Sequence, residues 1–266
     1  MTLSILIQKL HSFAKENRFE KAVIGLSGGL DSAVALCVAV RAFGPKNVTA
    51  LTLPDVGLTP QDDIDHAKIL AEHFGCLSHY QPINNFLVDF SFLPWKRNEL
   101  SHANLKARTR GSLLKHYAQS QGTMLIGTAN KSDLLLGYGT VEGEFTGDLQ
   151  ILGDLYKTDV MALAKEVGLP RELMEKDPSR QLRAHQTDEE DLAGPWSKID
   201  DILKQLSSGA DPESLIEKGL DSLAVHKITR MLQENSGRFT HLPVVNVGQI
   251  SASITKAREA EASSLS

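Results

Sequence analysis

The chain contains 266 residues, of which 41% are hydrophobic, and carries a net charge of −5 at pH 7. This length and apolar content suffice for an α/β domain with a full core, and the lack of a basic run argues against nucleic acid as the main partner. Because no apolar stretch has the length of a membrane span and no signal peptide is recognisable, we expect a cytoplasmic protein without a membrane partner.

The apolar pattern predicts alternating helices and strands from the N-terminus onwards. An amphipathic helix over Leu3–Glu16 precedes a buried strand over Ala22–Leu26, and the alanine-rich segment Ala33–Val40 indicates a second helix. The next predicted elements are strand Val48–Leu53, helix Gln61–Phe74, strand Leu77–Gln81, helix Asn104–Ser120 and strand Thr123–Gly127. Such alternation predicts an α/β fold with a doubly wound parallel sheet flanked by helices.

The segment after residue 185 is mostly helical in pattern. We predict helices over Glu189–Leu206, with a break at Gly194-Pro195, over Pro212–Lys218 and over Ser222–Glu234. We therefore expect a single domain over residues 1–250 with a helical C-terminal part. Residues 251–266 are rich in Ala, Ser and Glu and are expected to form a frayed tail.

The turn between the first strand and the second helix is the most informative segment of the chain. We expect Gly28 and Gly29 to adopt positive φ and to bring main-chain N–H groups close to a ligand, with the Ser27 and Ser32 hydroxyls as further donors. The following helix N-terminus adds partial positive charge, so the turn is typical of a phosphate-binding site. Asp31 would repel phosphate, and its presence is explained if it holds Mg²⁺ against the phosphates.

Two other interpretations of this turn stay open. Gly25–Gly29 fits the G-x-S-x-G turn of α/β-hydrolases, with Ser27 as nucleophile, although that turn follows several strands in hydrolases and here follows the first. A plain strand–helix turn is the other alternative. A Walker A loop is excluded because no Gly-Lys-Ser/Thr follows.

Several motifs, in the right order, resemble one family. The Ser27–Ser32 string resembles the pyrophosphatase loop of ATP-splitting synthetases, and Asn104–Arg110 resembles the N-x-KAR-x-R helix of NAD synthetases. Gly127–Asp133 resembles their GT-x-N-x-SE segment and Gly153–Val160 their DLYKT-x-V box. Shorter matches are Leu136–Thr140, Lys176–Ser179, Gln186–Leu192 and Ile199-Asp200. The chain is therefore identified as a member of the ammonia-dependent NAD synthetase family over about residues 3–235.

This resemblance implies an adenine nucleotide alpha hydrolase-like fold, a homodimer, ATP as co-substrate and Mg²⁺ as cofactor. The implied ATP contacts are Gly25, Leu26, Ser27, Gly28, Gly29, Leu30, Asp31, Ser32, Thr128, Lys157 and Ser179. Asp31 and Lys157 are the implied catalytic residues. Asp31 and Asp133 are the implied metal ligands, with Asp133 at the position where the family usually has glutamate.

Substrate contacts are implied for Arg108 and Asp148. Because Arg108 and Arg110 lie two residues apart on one predicted helix, only one of them can face the site, and the resemblance favours Arg108. The simpler alternatives are a solvated arginine and a plain loop aspartate.

The implied reaction joins the carboxylate of nicotinic acid adenine dinucleotide to AMP and then to ammonia, which gives NAD, AMP and pyrophosphate. The nitrogen is expected as free ammonia or from another chain. Departures lie on the substrate side: Val141 replaces a lysine, Glu144 an aspartate, residues 180–184 are bulkier and more basic, and a His-Lys-Arg run is missing at 236–243. The alternative is therefore a related enzyme that amidates a different carboxylate, for example nicotinate mononucleotide.

Overall fold

The fold is built on a parallel sheet. The computed structural model describes residues 2–96, 98–175, 179, 182, 187–239 and 242–247. The predicted tail, the boundary at residue 250 and most of the Lys176–Ser179 match lie outside these residues. Five strands of the described part pair in the order β3-β2-β1-β4-β5, with every pairing parallel. The strands are β1 Ala22–Gly25, β2 Val48–Thr52, β3 Leu77–Tyr80, β4 Met124–Gly127 and β5 Leu149–Gln150.

The helices alternate with the strands and then continue alone. In the first part they are α1 Thr2–Glu16, α2 Leu30–Phe43, α3 Gln61–Phe74, α4 Asn84–Leu87, α5 Glu99–Gln121, α6 Lys131–Leu136 and α7 Lys157–Glu166. The later ones are α8 Arg171–Glu175, α9 Asp188–Leu192, α10 Trp196–Ser207, α11 Pro212–Glu217 and α12 Ser222–Asn235. The predicted doubly wound sheet, helical C-terminal part and break near Gly194-Pro195 are confirmed.

Some elements differ from the prediction for local reasons. Helix α5 begins at Glu99 instead of Asn104, because Asn98 caps it: Asn98 Oδ1 accepts from Ser101 N at 2.7 Å and Ser101 Oγ from Asn98 N at 3.1 Å. Strand β5 has only two residues, too few to produce a periodic pattern. It pairs with the edge of β4 through Ile126 and Gly127, so tertiary contact defines it.

Each face of the sheet has its own apolar core, which follows from the twofold alternation of strand side chains. On β1, Ala22 and Ile24 pack into a core with helices α1, α2, α3 and α7, whereas Val23 packs into a second core with α4 and α5. The free thiol of Cys37 is fully buried in α2. No helix of the described residues combines the length and apolarity that crossing a membrane requires.

The later helices form a third core together with residues of α6 and of the segment before α7. Trp196, Ile199 and Leu203 of α10 pack with Val225 and Ile228 of α12. Leu136 at the end of α6 and Tyr156 before α7 belong to the same cluster. The helical part is therefore packed directly on the two short helices that follow β4 and β5.

A buried ion pair connects α6 to the end of the described chain. Lys131 Nζ lies 3.2 Å from Asp154 Oδ1, and the two side chains are 1% and 4% exposed. The other oxygen, Asp154 Oδ2, accepts from Val247 N at 3.0 Å. Burial lowers the pKa of Lys131, and the charge and hydrogen bond of Asp154 oppose this effect.

We predict that Asp154→Ala lowers the free energy of unfolding by about 3–5 kcal/mol, because it removes the carboxylate that pairs with the buried ammonium of Lys131. Urea unfolding followed by circular dichroism measures this loss. Glu72→Ala, which breaks an ion pair with Lys68 between side chains that are 67% and 73% exposed, is the control and should cost less than about 1 kcal/mol. Equal losses in the two variants would contradict the prediction.

Candidate active site

A cavity of about 280 Å³ opens at the carboxyl edge of the sheet. It is lined by the segments that follow β1, β2 and β4: Gly25–Ser32 without Gly28, 52–54 and Gly127–Ala129. In the strand order, β2 lies next to β1 on one side and β4 lies next to β1 on the other side. The cavity therefore lies at the point where the strand order reverses, which is where open α/β sheets bind ligands.

The glycine turn differs in part from the prediction. Gly28 has φ +78°, as expected, but it is buried and does not line the cavity, and a Cβ at this position would overlap the carbonyl group of Asp63 on α3. Gly29 has φ −92°, so the predicted positive φ is wrong for this residue. Gly28 thus allows the turn to pack against α3, while Gly29 lines the cavity as the N-cap of α2.

The two serines of the turn hold its shape. Ser32 Oγ donates to Gly29 O at 2.9 Å and accepts from Ser27 N at 3.2 Å. Ser27 Oγ accepts from Gly29 N at 3.2 Å and lies 3.1 Å from Ser32 Oγ. Within the described residues, the hydrogen-bond partners of Ser27 Oγ include no histidine. Because Ser32 donates its hydroxyl proton to Gly29 O, Ser27 is the donor in the contact between the two hydroxyl groups, and both protons serve to hold the turn.

Three charged residues from distant parts of the chain meet beside this turn. Lys157 Nζ, from the first residue of α7, forms an ion pair with Asp31 Oδ2, and Asn130 Nδ2 donates to Asp31 Oδ1 at 3.1 Å. Asn130 also caps α6 by accepting from Asp133 N at 3.0 Å, which places Asp133 in the first turn of that helix. The sequence predicted Asp31, Asp133 and Lys157 as site residues, and the structure brings all three to the cavity.

The electrostatics of this cluster are unfavourable without a ligand. Burial raises the pKa of Asp133 well above its ordinary value, the negative charge of Asp31 adds to this, and Lys157 opposes it. Burial lowers the pKa of Lys157, but the charges of Asp31 and Asp133 outweigh burial and leave the pKa raised. Two neighbouring carboxyl groups share one ammonium, and a bound cation would offset the cost of ionising both of them.

A further carboxylate comes from the helical part. Asp188, at the start of α9, lines the cavity and accepts from Tyr138 OH at 3.0 Å and from Trp196 Nε1 at 3.2 Å. Burial raises the pKa of Asp188, and the charge of Lys157 opposes this effect. Sequence reasoning did not select Asp188 as a site residue, although it lies in the quoted Gln186–Leu192 match.

The helical part also positions Lys157. Asp200 of α10 is 1% exposed and accepts from Ser132 Oγ at 2.6 Å and from Thr158 N at 2.7 Å. Ser132 Oγ in turn accepts from Lys157 N at 3.0 Å. One buried carboxylate therefore fixes the start of both α6 and α7, the helices that carry Asp133 and Lys157.

The other predicted contacts are divided between the cavity and the surface. Thr128 and Ser179 line the cavity. Arg108 is exposed and donates from Nε to Val141 O at 3.3 Å, whereas Arg110 lines the cavity. Asp148 is exposed and accepts from Leu125 N at 2.8 Å, outside the cavity lining. Substrate contacts from Arg108 and Asp148 thus remain predictions, and neither residue lines the cavity.

The donor set at the turn fits Mg²⁺. Asp31 and Asp133 offer carboxylate oxygens, which this hard cation prefers, and its positive charge would favour the ionised form of Asp133. Within the described residues, no group of three or more His, Cys, Asp or Glu side chains is arranged to hold a metal ion. Mg²⁺ sites in proteins often use only one or two carboxylates, which share the ion with substrate phosphates.

Comparison with known sequences identifies relatives over most of the chain. A model of the NAD synthase family matches residues 2–240. The NH(3)-dependent NAD(+) synthetase of Methanosarcina mazei is 38% identical over 226 residues, which cover 84% of this chain and 88% of the relative. That of Methanocaldococcus jannaschii is 33% identical over 252 residues, which cover 91% of this chain and 96% of the relative.

Solved structures show the same fold. The NMN synthetase of Francisella tularensis matches with a TM-score of 0.76 and 29% identity, covering 88% of this chain and 93% of that one. The NH3-dependent NAD synthetase of Campylobacter jejuni, solved with the nitrate ion, matches with a TM-score of 0.74, 27% identity and the same coverage. The expected adenine nucleotide alpha hydrolase-like fold is confirmed by these neighbours.

We predict that Gly28→Ala lowers the free energy of unfolding by more than about 2 kcal/mol, because it adds both a strained φ and an overlap with the main chain of α3. Gly168→Ala separates the two effects, since Gly168 has φ +74° and nothing lies within 4 Å of the position that an alanine Cβ would take. That control should cost only about 1 kcal/mol. Chemical denaturation measures both, and an equal loss would show that the contact with Asp63 is unimportant.

Proposed function

Because the chain belongs to the NAD synthase family and is a ligase that forms a C–N bond, we propose that it amidates nicotinic acid adenine dinucleotide with ATP and ammonia to give NAD. The observation that carries this proposal is the meeting of Asp31, Asp133 and Lys157 beside a glycine turn, in a cavity at the carboxyl edge of the sheet. A carboxylate cannot expel oxide, so it must first be joined to AMP.

The protein's own groups suit the first step, attack of the substrate carboxylate on the α-phosphate of ATP. The main-chain N–H groups of Leu30–Ser32, the first residues of α2 and part of the cavity lining, would hold the phosphates, together with the partial positive charge of that helix N-terminus. The ammonium of Lys157 would stabilise the charge that develops on the leaving pyrophosphate. Asp31 and Asp133 would hold Mg²⁺, which when bound supplies Lewis-acid stabilisation of the same charge.

In the second step, ammonia attacks the acyl carbon of the adenylate and AMP leaves. The C–N bond forms as the acyl–oxygen bond to AMP breaks, and nitrogen releases a proton. Thr128 and Ser179, which line the cavity, are proposed to contact the ATP-derived part of this intermediate. Neither contact involves a charged group, so their expected role is to orient the nucleotide and not to stabilise charge.

A second candidate is amidation of nicotinate mononucleotide. It is favoured by the similarity to the NMN synthetase of Francisella tularensis and by the altered substrate-side segment. There, Val141 offers only its carbonyl to Arg108, where the family usually has lysine, and Glu144 accepts from Thr140 N at 2.9 Å. Changes in this segment would alter the choice of carboxylate while the ATP-cleaving residues stay the same.

We expect the full chain to form NAD and pyrophosphate from nicotinic acid adenine dinucleotide, ATP, Mg²⁺ and ammonium, with kcat/KM at least about tenfold above that for nicotinate mononucleotide. Coupled pyrophosphate release and chromatography of the products measure both rates. A preference for the mononucleotide would favour the second candidate, and no pyrophosphate with either acid would refute both.

The charge of Asp31 is expected to be essential for the cleavage of ATP. Asp31→Asn keeps the size of the side chain and removes the charge that faces Lys157, so pyrophosphate release should fall at least about 100-fold. Asp62→Asn, on the exposed first turn of α3, removes a charge outside the cavity and should leave the rate unchanged.

We further propose that the chain forms a homodimer through the segment around α4 and the start of α5. Phe92, Trp95 and Leu100 are 80%, 66% and 71% exposed, and Val88 and Phe90 beside them are exposed as well. A cluster of large apolar side chains on one short segment is typical of an interaction surface. A second copy of this chain is the proposed partner because family resemblance implies a homodimer.

We predict that Phe92→Asp converts the protein to a monomer, because a buried carboxylate at the interface opposes association. Analytical ultracentrifugation gives the mass of each form. Leu223→Asp, which changes a 70% exposed leucine on α12, is the control and should leave the dimer intact. A wild-type chain that sediments as a monomer would refute the proposed dimer.

A further inference from the structure

Arg110 occupies the wall of the cavity that helix α5 contributes. Its Nε donates to the carbonyl of Leu53 at 2.9 Å, directly after the carboxyl end of β2. This bond uses the Nε–H donor of the guanidinium and fixes the orientation of the group. The two terminal nitrogens have no hydrogen-bond partner among the described residues. A guanidinium held in this way is prearranged for a planar or tetrahedral anion.

The charge of Arg110 is not balanced by a direct contact. It forms no ion pair with a carboxylate of the described residues, and its nearest charged neighbours are already engaged. Asp55 Oδ2 lies 2.7 Å from Lys106 Nζ, and Glu144 accepts from Thr140 N. Burial lowers the pKa of Arg110, and the more distant charges of Glu144 and Asp55 oppose this effect.

The two cations among the described lining residues differ in this respect. Lys157 is already paired with Asp31, whereas Arg110 has lost solvent without gaining a carboxylate partner. Partial burial of an unpaired charge costs free energy unless something offsets it. A negatively charged ligand in the cavity would provide that offset.

We propose that Arg110 binds an oxyanion of a bound substrate through its terminal nitrogens. The oxyanion is either the α-phosphate of the adenine nucleotide or the carboxylate of the acceptor, which must meet each other in the reaction. This inference rests on the proposed function for the identity of the two substrates. It differs from the family-based expectation, which assigns substrate contact to Arg108.

The test compares Arg110→Gln with the wild type in two arms. In the first, calorimetry measures binding of AMP and of adenosine to the enzyme without acceptor. In the second, steady-state kinetics measures KM for the acceptor. If the phosphate is the partner, AMP affinity falls about 10- to 100-fold and adenosine affinity stays constant. If the carboxylate is the partner, AMP affinity stays constant and the acceptor KM rises by a similar factor.

Two further variants make the result specific. Arg110→Lys keeps the charge and loses the fork, so it should recover part of the lost affinity and covers the case in which the glutamine variant does not fold. Arg230→Gln, an exposed arginine on α12 that pairs with Glu234, should change neither arm. Thermal unfolding without ligands should be the same or higher in Arg110→Gln, since an unpaired buried charge has been removed.

Normal affinities in both arms, together with a lower unfolding temperature, would overturn the inference and leave Arg110 as a structural link between α5 and β2. The outcome is separable from that of the proposed function. If wild-type enzyme binds AMP but amidates neither acid, the proposed function fails, whereas a loss of AMP affinity in Arg110→Gln with unchanged adenosine affinity still supports the inference.

Discussion

The ion pair between Asp31 and Lys157 links two residues that lie 126 positions apart and joins the first strand's turn to the start of α7. Its geometry depends on groups that have no contact with the ligand space. Asn130 orients Asp31 and caps the helix of Asp133, and buried Asp200 anchors the main chain at Thr158. The helical C-terminal part therefore contributes to the site by holding the helix that carries the cation.

This arrangement has a cost in stability. Asp133 is half-buried and close to Asp31, so its ionised form is disfavoured, and one ammonium cannot neutralise both carboxylates. Arg110 carries the opposite excess on another wall of the same cavity. Charges left unpaired by the fold mark where ligand charges are expected, since a site built for maximum stability would pair them internally.

The sequence predicted the parts of the fold that rest on local pattern. Buried strands, amphipathic helices and the phosphate-type turn all have signals within a few residues, and the family motifs placed Asp31, Asp133 and Lys157 in one site. The choice between Arg108 and Arg110 could not be made in this way. Two residues two positions apart point to different sides of a helix, and only the rotation of α5 against the sheet decides which one faces the cavity.

The conformation of the turn was beyond sequence reasoning for a similar reason. Two adjacent glycines give the same local signal, yet only Gly28 adopts positive φ, because the turn must pass close to the main chain of Asp63. Asp188 was missed because its partners, Tyr138 and Trp196, come from separate elements. In both cases a contact between residues far apart in the sequence determines the role of the residue, and the neighbouring residues in the chain do not indicate it.

One buried side chain connects the two halves of the cavity. Gln150 is fully buried; its Oε1 accepts from Ala129 N at 3.1 Å and its Nε2 donates to Thr146 O at 3.0 Å. The first contact fixes the exit of β4, next to the residues that match the family's ATP motifs. The second fixes the segment that carries the departures at Val141 and Glu144. Gln150 thus connects the segment expected to cleave ATP with the segment expected to select the carboxylate. Substitutions in the second segment can change the choice of carboxylate while the first segment keeps its geometry.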